Sequence, residues 1–340
     1  MDNRPPAPIE IKPTNPLLYY NGRFDWRLPG APSASYPGSE VVIRFRATTL
    51  SARMSTTRSD YVVVLVDGKP ASTIALSKEP TLYVVARDLT PGEHTVVLFK
   101  RSEAAFGTES FYGLQMPAGS ELLSSAPSRR NIEFIGDSIT CGYGDEGAGP
   151  ADPVSAANSN HFLSYAAVTA RRLHADYVAV AVSGIRLTEP PGVEGIPTAY
   201  TRIHPDDQVP RWTFDTGPVP DVVVINLGTN DFRDGIMPES EWVDSYMRFL
   251  DFVRSKRPKA YIFLANGPIM EPSEKLEHLQ GWDREVASRR RALGDTRISA
   301  LDFEVQKASD GYGSDYHPSV KTHERMADQL VAAIRREVDW

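Results

Sequence analysis

The sequence contains a single cysteine, Cys141, in 340 residues. One thiol excludes an internal disulfide and offers no cysteine cluster that would hold zinc. The histidines add no such cluster, because neither His161 nor His204 has a second histidine or cysteine three or four residues away. We therefore expect a protein without a metal site and without a cofactor.

Long apolar runs and clusters of basic residues are also missing. No stretch approaches the 18 apolar residues of a membrane-spanning helix, and the first six residues lack a basic-then-apolar leader. The net charge is -7, and basic residues form only short pairs such as Arg129-Arg130. These absences predict no membrane partner and no nucleic-acid partner. The chain is expected to be cytoplasmic unless a signal peptide lies outside this sequence.

The residues that are present divide the chain into two parts. From residue 41 to about residue 116, short runs of alternating apolar residues are separated by turn signals such as Asp67-Gly68. This spacing is typical of an antiparallel β-sandwich. A stretch rich in Ser and Arg follows at 124–130 and is typical of a junction. We predict an N-terminal β-sandwich domain over residues 1–126 and a second domain over residues 127–340.

In the second part the hydrophobic period lengthens to that of a helix. Apolar residues in Glu239–Lys256, for example, share one helical face, and the β-branched run Tyr261–Ala265 follows directly. Strand-like and helical stretches alternate five times in this way. Such alternation predicts a parallel sheet with right-handed crossovers, covered by helices on both faces, in a three-layer flavodoxin-like α/β/α fold.

Polar motifs stand close to the predicted ends of these strands. The motifs are Gly136-Asp137-Ser138, Val182-Ser183-Gly184, Gly228-Thr229-Asn230-Asp231 and Asp315-Tyr316-His317-Pro318. The first three directly follow an apolar run, and the fourth lies about a dozen residues beyond another. Ligands of open parallel sheets bind at the carboxyl ends of the strands, so we expect the four motifs to form one site.

Ser138 and His317 are the residue types that nucleophilic catalysis requires. A serine hydroxyl is a weak nucleophile at neutral pH and needs a base within hydrogen-bond reach, which an imidazole with a pKa near 6.5 can provide. Of the seven histidines, His317 alone stands in a loop after the last predicted strand. Thr140 occupies the place of the second glycine in a Gly-x-Ser-x-Gly elbow, which argues against an α/β-hydrolase fold.

In their residues and in their order, the four motifs resemble those of the SGNH hydrolases, or GDSL-type esterases, over roughly residues 129–340. The resemblance implies that Ser138 is the nucleophile and His317 the base. It also implies an oxyanion hole made by the backbone N–H groups of Ser138 and Gly184 and by the side-chain amide of Asn230.

Together with an N-terminal β-sandwich, the motifs are similar to those of carbohydrate esterase family two. Members of that family remove acetyl groups from polysaccharides such as xylan and glucomannan. The resemblance implies a serine esterase that deacetylates carbohydrate through an acetyl-enzyme and that is secreted or periplasmic. Two alternatives stay open: a general short-chain GDSL esterase or lipase, and a carbohydrate-binding protein with an inactive SGNH domain. The oligomeric state is not decided by the sequence.

The group that orients His317 is also open. Most SGNH hydrolases place an acid three residues before the histidine, but that position is Ser314, and the carboxylate stands at Asp315. In an extended loop Asp315 would face the same side as His317 and complete a catalytic triad. Some members of family two use a backbone carbonyl instead, which would leave a dyad of Ser138 and His317.

The remaining candidates are carboxylates and aromatic rings near the motifs. We interpret Asp137 and Asp231 as acceptors that hold strand-to-helix turns, rather than as the paired acids of a glycosidase. Sugar-binding sites often present aromatic faces, and the predicted substrate-binding residues are Tyr143, Tyr316 and Trp282. The stretch Gly267–Gly281 is expected to be a loop that forms a wall of the cleft.

Overall fold

The structure is a computed structural model in which residues 7–340 are described. The first six residues, on which the expectation about a leader rests, lie outside that range. The described chain forms an antiparallel β-sandwich followed by an α/β/α domain. Within it, none of the helices has both the length and the apolar character needed to cross a bilayer.

The sandwich consists of two antiparallel sheets. Its strands are β1 (Ile9–Ile11), β2 (Tyr19–Asn21), β3 (Ser33–Ala34), β4 (Glu40–Arg46), β5 (Leu50–Thr56), β6 (Tyr61–Val66), β7 (Lys69–Ala75), β8 (Thr81–Ala86), β9 (Glu93–Lys100), β10 (Glu109–Met116) and β11 (Glu121–Leu123). One sheet has the order β1-β10-β5-β8, with β3 beside β10. The other has the order β11-β4-β9-β6-β7, with β2 beside β4.

The alternation of residues in β4 explains why this segment is a strand. Val41, Ile43 and Phe45 are buried between the sheets, whereas Arg44 and Arg46 on the opposite face are exposed. Side chains of a strand point alternately to its two faces, so this pattern gives one apolar face that a second sheet can cover. The predicted N-terminal β-sandwich is confirmed.

The second part alternates strands and helices. Its elements are β12 (Asn131–Gly136), α1 (Ser138–Cys141), α2 (Tyr165–Leu173), β13 (Asp176–Ala181), α3 (Ile196–Ala199), β14 (Val222–Asn226), α4 (Glu239–Lys256), β15 (Tyr261–Asn266), α5 (Glu274–Ala292), β16 (Ile298–Asp302) and α6 (Val320–Glu337). The sheet is parallel, with the strand order β13-β12-β14-β15-β16. The predicted flavodoxin-like architecture is confirmed. The predicted boundary between residues 126 and 127 falls in the connection from β11 to β12.

The sheet order determines where a ligand can bind. The chain first adds β13 on one side of β12 and then β14 on the other side, so the order reverses between β12 and β14. A crevice forms at such a reversal, outside the carboxyl ends of the two strands. Helices α2 and α6 pack on one face of the sheet and α4 and α5 on the other, and the buried strands lie between them.

Helix α5 begins inside the expected loop Gly267–Gly281. It begins at Glu274, where the hydroxyl of Ser273 accepts a hydrogen bond from the backbone N–H of Leu276 at 3.4 Å. Leu276 and Leu279 in its first turns are buried on the same face as Val286, so the apolar period of the helix begins inside the stretch that was expected to be a loop. The expected loop Gly267–Gly281 is therefore confined to residues 267–273.

Arg23 joins the sandwich to the α/β/α domain. Its side chain is fully buried, and its Nη1 atom donates hydrogen bonds to the carbonyl oxygens of Tyr200 at 2.6 Å and Arg202 at 2.8 Å. Its Nη2 atom lies 3.5 Å from Oε1 of Glu133 in β12. A buried guanidinium requires partners of this kind, so the two parts are packed together by specific polar contacts.

Candidate active site

The end of β12 places Ser138 at the start of α1. The side chain of Asp137 caps this helix, with Oδ1 accepting the backbone N–H of Ile139 at 3.0 Å. Gly136 allows the close approach of helix and strand, because a Cβ atom there would lie 2.1 Å from Oγ1 of Thr140. Ser138 is 7% exposed, and its side chain lines a cleft at the strand ends.

His317 lies beside this serine. Its Nε2 atom is 2.9 Å from Oγ of Ser138, and its Nδ1 atom is 3.1 Å from the backbone carbonyl oxygen of Asp315. A carbonyl oxygen can only accept a hydrogen bond, so Nδ1 carries the hydrogen and Nε2 is free to accept the serine proton. This is the tautomer that a general base for Ser138 requires.

The backbone carbonyl corrects the expectation that the Asp315 carboxylate completes a triad. The segment is not extended: Ser314–Tyr316 forms a short 3₁₀ turn in which Asp315 has a left-handed φ of 51°. In this turn the carbonyl group of Asp315, rather than its side chain, faces Nδ1 of His317. The carboxylate lines the cleft and acts on the imidazole only through its charge.

The surroundings of His317 lower the pKa of its imidazole below the ordinary value of 6.5. Burial is the main cause, because it disfavours the charged form. The hydrogen bond to the Asp315 carbonyl and the Asp315 charge act in the opposite direction but are weaker. The ring of Tyr143 packs against the imidazole with 4.5 Å between ring centroids. His317 is therefore neutral at neutral pH, as a base must be.

A tight turn after β13 presents Gly184. The backbone N–H of Ile185 donates to the carbonyl of Val182 at 3.3 Å, and Gly184 at the third position has a φ of +78°. A positive φ at that position is typical of a type II turn and favours glycine. Open space lies beside the Gly184 Cα, on the wall of the cleft that contains Ser138.

Asn230, after β14, completes the group of donors. Its Nδ2 atom donates to the carbonyl of Ile185 at 2.9 Å and lies 3.3 Å from Oδ2 of Asp137. Its Oδ1 atom accepts a hydrogen bond from Arg233 at 3.2 Å, which fixes the amide with Nδ2 toward the site. An oxyanion near Ser138 would compete with Asp137 for one amide hydrogen of Asn230. The contact with Asp137, at 3.3 Å, is longer than the contact with Ile185, so it is the one that an oxyanion would replace.

The two acidic neighbours of these residues hold turns. Asp231 accepts hydrogen bonds from the backbone N–H groups of Leu187 and Thr188 and from the Thr188 hydroxyl, at 2.7 to 3.0 Å. Asp137 caps α1, and burial raises the pKa of its carboxyl group to about 7. Both side chains contact turn donors, as the sequence interpretation proposed, and neither is one of the residues that line the cleft.

The three aromatic residues that were predicted to bind substrate lie in different environments. Tyr143 lines the cleft, whereas Trp282 is 8% exposed and packs in the core against Phe232, 5.4 Å away between ring centroids. The structure does not place Trp282 on the cleft wall, because this residue lies on the buried face of α5 with Leu279 and Val286. Tyr316 is 61% exposed, its ring is tilted by 60° against that of Tyr312, and it is not among the residues of the cleft wall, so its role in binding substrate stays a prediction.

The cleft is open, with a volume of about 540 Å³. Its walls are formed by Ser138, Tyr143, Ser183, Gly184, Thr229, Asn230, Phe232, Arg233, Ile269, Met270, Glu271, Ser273, Lys275, Asp315 and His317. Sequence reasoning missed Arg233, whereas the wall residues after β15 all lie in the stretch Gly267–Gly281 that was expected to form a wall. It also missed Glu103, which reaches Ser183 from the sandwich. No periodic signal marks these residues, because their positions depend on contacts between distant segments.

The site therefore unites the four motifs at the reversal of the sheet. Ser138 and His317 form a hydrogen-bonded pair, Gly184 and Asn230 lie on the same cleft, and Asp315 contributes its carbonyl. Among residues 7–340, no group of three or more His, Cys, Asp or Glu side chains is placed to hold a metal ion. The arrangement can perform acyl transfer by a serine nucleophile, and the roles of the individual residues stay predictions.

Comparison with known families agrees with this geometry. Residues 20–127 match the carbohydrate esterase 2 N-terminal family, and residues 134–325 match the GDSL-like lipase/acylhydrolase family. Cellulase/esterase CelE of Acetivibrio thermocellus is 37% identical over 329 residues, which are 96% of this chain but 40% of that protein. The chain thus spans less than half the length of CelE. An acetylxylan esterase/glucomannan deacetylase of Cellvibrio japonicus is 27% identical, over 97% of this chain and 91% of that protein.

Solved structures give the same result. A family two carbohydrate esterase from Clostridium thermocellum, solved in complex with cellohexaose, has a TM-score of 0.89 and 36% identity, covering 95% of this chain and 99% of that chain. A family two carbohydrate esterase from Cellvibrio japonicus, at 24% identity, has a TM-score of 0.88 and supports the fold. The resemblance noted in the motifs is confirmed. The chain belongs to the GDSL-like lipase/acylhydrolase family and, with its N-terminal domain, to carbohydrate esterase family two.

Proposed function

We propose that this chain is a serine esterase that removes acetyl groups from carbohydrate through an acetyl-enzyme on Ser138. The observation that carries the proposal is the 2.9 Å contact between Oγ of Ser138 and Nε2 of His317, with Nδ1 held by the Asp315 carbonyl. This pair opens onto a cleft that also contains Gly184 and Asn230.

In the first half of the reaction, Oγ of Ser138 attacks the carbonyl carbon of the acetyl group and its proton passes to Nε2 of His317. The negative charge that develops on the carbonyl oxygen is stabilised by the backbone N–H groups of Ser138 and Gly184 and by Nδ2 of Asn230. Each well-placed donor contributes about 3 to 4 kcal/mol to transition-state stabilisation. His317 then gives its proton to the sugar oxygen, and the alcohol leaves.

In the second half, water replaces the sugar. His317 accepts a proton from this water, whose oxygen attacks the acetyl carbon of acetyl-Ser138. The tetrahedral species collapses, acetate leaves, and the proton returns to Oγ of Ser138. The Nδ1–H group of His317 donates to the Asp315 carbonyl throughout, so the imidazole keeps its orientation when it becomes charged in each half.

The carbohydrate substrate is supported by the relatives and by the cleft. A relative that this chain covers almost completely is named an acetylxylan esterase/glucomannan deacetylase, and a similar structure was solved with cellohexaose. The cleft wall contains charged side chains such as Arg233, Glu271 and Lys275. An open, polar cleft of this kind fits a hydrated sugar chain better than a long acyl chain, which requires an apolar channel.

A direct test compares the 4-nitrophenyl esters of acetate, butyrate and octanoate. We expect hydrolysis of the acetate ester at the highest kcat/KM and little hydrolysis of the octanoate ester. A preference for octanoate would instead support the GDSL lipase alternative, and no hydrolysis of any ester would support a binding protein. NMR analysis of acetylated xylan and acetylated glucomannan after incubation would then identify the polysaccharide and the hydroxyl position that is deacetylated.

The same substrate class leads to a proposal on location. Polysaccharides of this kind lie outside the cell, so we propose that the enzyme works in the periplasm or after secretion. Fractionation of the native host, followed by detection of the chain with a specific antibody, tests this. Detection only in the cytoplasmic fraction would contradict it.

A further inference from the structure

We propose that Glu103, a residue of the N-terminal β-sandwich, is a positioning residue for the oxyanion hole. Its carboxylate holds the turn that presents Gly184 and links this turn to the helix that begins with Ser138. The proposal rests on the proposed esterase function, which supplies the reaction, and it gives the sandwich a direct part in the geometry of catalysis.

The groups that donate hydrogen bonds to the Glu103 side chain all belong to the α/β/α domain. Glu103 follows β9, and only 2% of it is exposed. Its Oε2 atom accepts the backbone N–H of Ser183 at 2.9 Å, and its Oε1 atom accepts the Ser183 hydroxyl. The thiol of Cys141 lies 3.5 Å from Oε2 and donates to it. Within residues 7–340, these are the hydrogen bonds that the carboxylate accepts.

Two of these bonds fix the position of Ser183. In the turn from Val182 to Ile185, the central peptide group joins Ser183 to Gly184, and its N–H is the predicted oxyanion donor. The direction of a central peptide distinguishes type II from type I turns, so it depends on both central residues. The positive φ of Gly184 favours one direction, and the double contact of Ser183 with Glu103 prevents the turn from shifting.

The third contact connects the turn to the nucleophile. Cys141 lies in α1, the same short helix whose first residue is Ser138. One carboxylate thus contacts both segments that provide a backbone donor, the turn with Gly184 and the helix with Ser138. A fixed distance between these two donors is what a preorganised oxyanion hole requires.

The need to join the two domains does not by itself explain why residue 103 carries a carboxylate. Burial raises the pKa of the Glu103 side chain, because the charged form loses its hydration, and only the bonds from Ser183 and Cys141 and the nearby Lys100 oppose this. A neutral residue would join the domains without that cost. Tyr36 does so elsewhere, with its hydroxyl donating to the Ala199 carbonyl at 2.9 Å.

Tyr36 therefore provides a matched control. Glu103→Gln keeps the size of the side chain but replaces one acceptor oxygen by a donor that cannot bind Ser183 in the same way. We expect kcat for 4-nitrophenyl acetate to fall by about ten- to a hundredfold with KM within about twofold, since displacement of a preorganised group by about 1 Å can cost a hundredfold. Tyr36→Phe removes one bond between the domains and should leave kcat unchanged.

A second readout reports on the oxyanion hole itself. Methylboronic acid forms a tetrahedral adduct with a serine hydroxyl and places an oxygen where the oxyanion would be. If Glu103 positions Gly184, the dissociation constant of this adduct, measured by calorimetry, should rise in Glu103→Gln in proportion to the fall in kcat/KM. Affinity for the non-reacting product acetate should stay within about twofold, because acetate binding requires no tetrahedral oxygen.

These measurements can overturn the proposal. A folded Glu103→Gln variant with kcat within about threefold of the unaltered enzyme, or equal losses in Glu103→Gln and Tyr36→Phe, would reduce Glu103 to a docking residue. If Glu103→Gln does not fold, Ser183→Ala tests the proposal instead, because it removes the hydrogen bond from the Ser183 hydroxyl to Glu103 without altering the sandwich. We expect a loss in kcat of at least about threefold in Ser183→Ala, and an unchanged kcat would contradict the proposal.

Failure of the proposed function would look different. A folded, unaltered enzyme that does not hydrolyse 4-nitrophenyl acetate would contradict esterase activity. The affinity for methylboronic acid would still test the position of Gly184, because the adduct with Ser138 forms without turnover. A weaker adduct in Glu103→Gln would support the positioning role, and an equally tight adduct would overturn it.

Discussion

The Nδ1 atom of His317 lies 3.1 Å from the backbone carbonyl oxygen of Asp315, in a turn where Asp315 has a φ of 51°. The group that orients the base therefore belongs to the main chain, and a side-chain substitution at residue 315 leaves it in place. This relationship favours a dyad of Ser138 and His317 supported by a carbonyl over a triad, and it changes what mutagenesis should show.

Asp315→Asn should reduce kcat by less than about tenfold. The carbonyl still accepts the Nδ1 hydrogen, and the substitution removes only a charge on the open cleft, which water screens. Asparagine also tolerates the left-handed backbone conformation of Asp315. The variant is assayed with 4-nitrophenyl acetate beside the unaltered enzyme. A loss near ten-thousandfold, as in an enzyme that needs a triad acid, would contradict the carbonyl assignment.

The pH dependence of kcat/KM follows from the state of His317. Neutral imidazole is the base, so activity should rise with pH through the pKa of His317 and then level off. Burial lowers this pKa, which places the inflection below 6.5. Asp315→Asn removes a negative charge that raises the pKa, so its inflection should lie lower still. An inflection above 6.5 in the unaltered enzyme would show that the imidazole is more strongly stabilised as a cation than the structure indicates.

Ser138→Ala and His317→Ala should each reduce turnover to near the background rate. The two residues act as one unit through their 2.9 Å contact, so the double variant should be little worse than either single variant. Circular dichroism provides the control for folding. More than about a tenth of the original activity in folded Ser138→Ala would require a different nucleophile.

Asn230→Ala should lower kcat by about a hundred- to a thousandfold with a small change in KM. The substitution removes the Nδ2 donor, which stabilises charge only in the transition state. It also removes the hydrogen bonds to Ile185 and Arg233, so a melting curve is needed to exclude unfolding. A change confined to KM would identify Asn230 as a residue that binds the ground state of the substrate.

Tyr143 and Trp282 should respond differently to substitution. Tyr143→Ala opens the cleft beside His317, so we expect a rise in KM of about tenfold for acetylated xylo-oligosaccharides, whereas Tyr143→Phe keeps the ring and should stay near the original value. Trp282→Phe alters a buried contact and should lower stability by about 1 to 3 kcal/mol with KM unchanged. An unchanged KM in Tyr143→Ala would remove this tyrosine from the sugar site.

The sequence was sufficient for the features that depend on local pattern. Ser138 and Asn230 follow buried, β-branched runs, and such runs show where strands end and hence which side chains meet. The alternation of strands and helices predicted a parallel sheet covered by helices on both faces. The expectation that Ser138 and His317 meet rested on the shared edge at which parallel strands end and on the loop position of the histidine.

The features that sequence did not predict depend on local backbone angles or on distant contacts. Whether Asp315 offers its side chain or its carbonyl depends on a left-handed turn, which no periodic pattern indicates. Trp282 was expected at the cleft, but its burial depends on which face of α5 packs into the core. The contact of Glu103 with Ser183 joins residues 80 positions apart, in two different domains.

Arg23 limits how this protein can be shortened or recombined. In a fragment of residues 127–340, the carbonyl oxygens of Tyr200 and Arg202 would lose a charged donor, and the aromatic rings that surround the guanidinium would face water. Chimaeras that attach residues 127–340 to a different domain would inherit an exposed apolar surface next to β12. For protein engineering, the transferable piece is the sandwich and the α/β/α domain together.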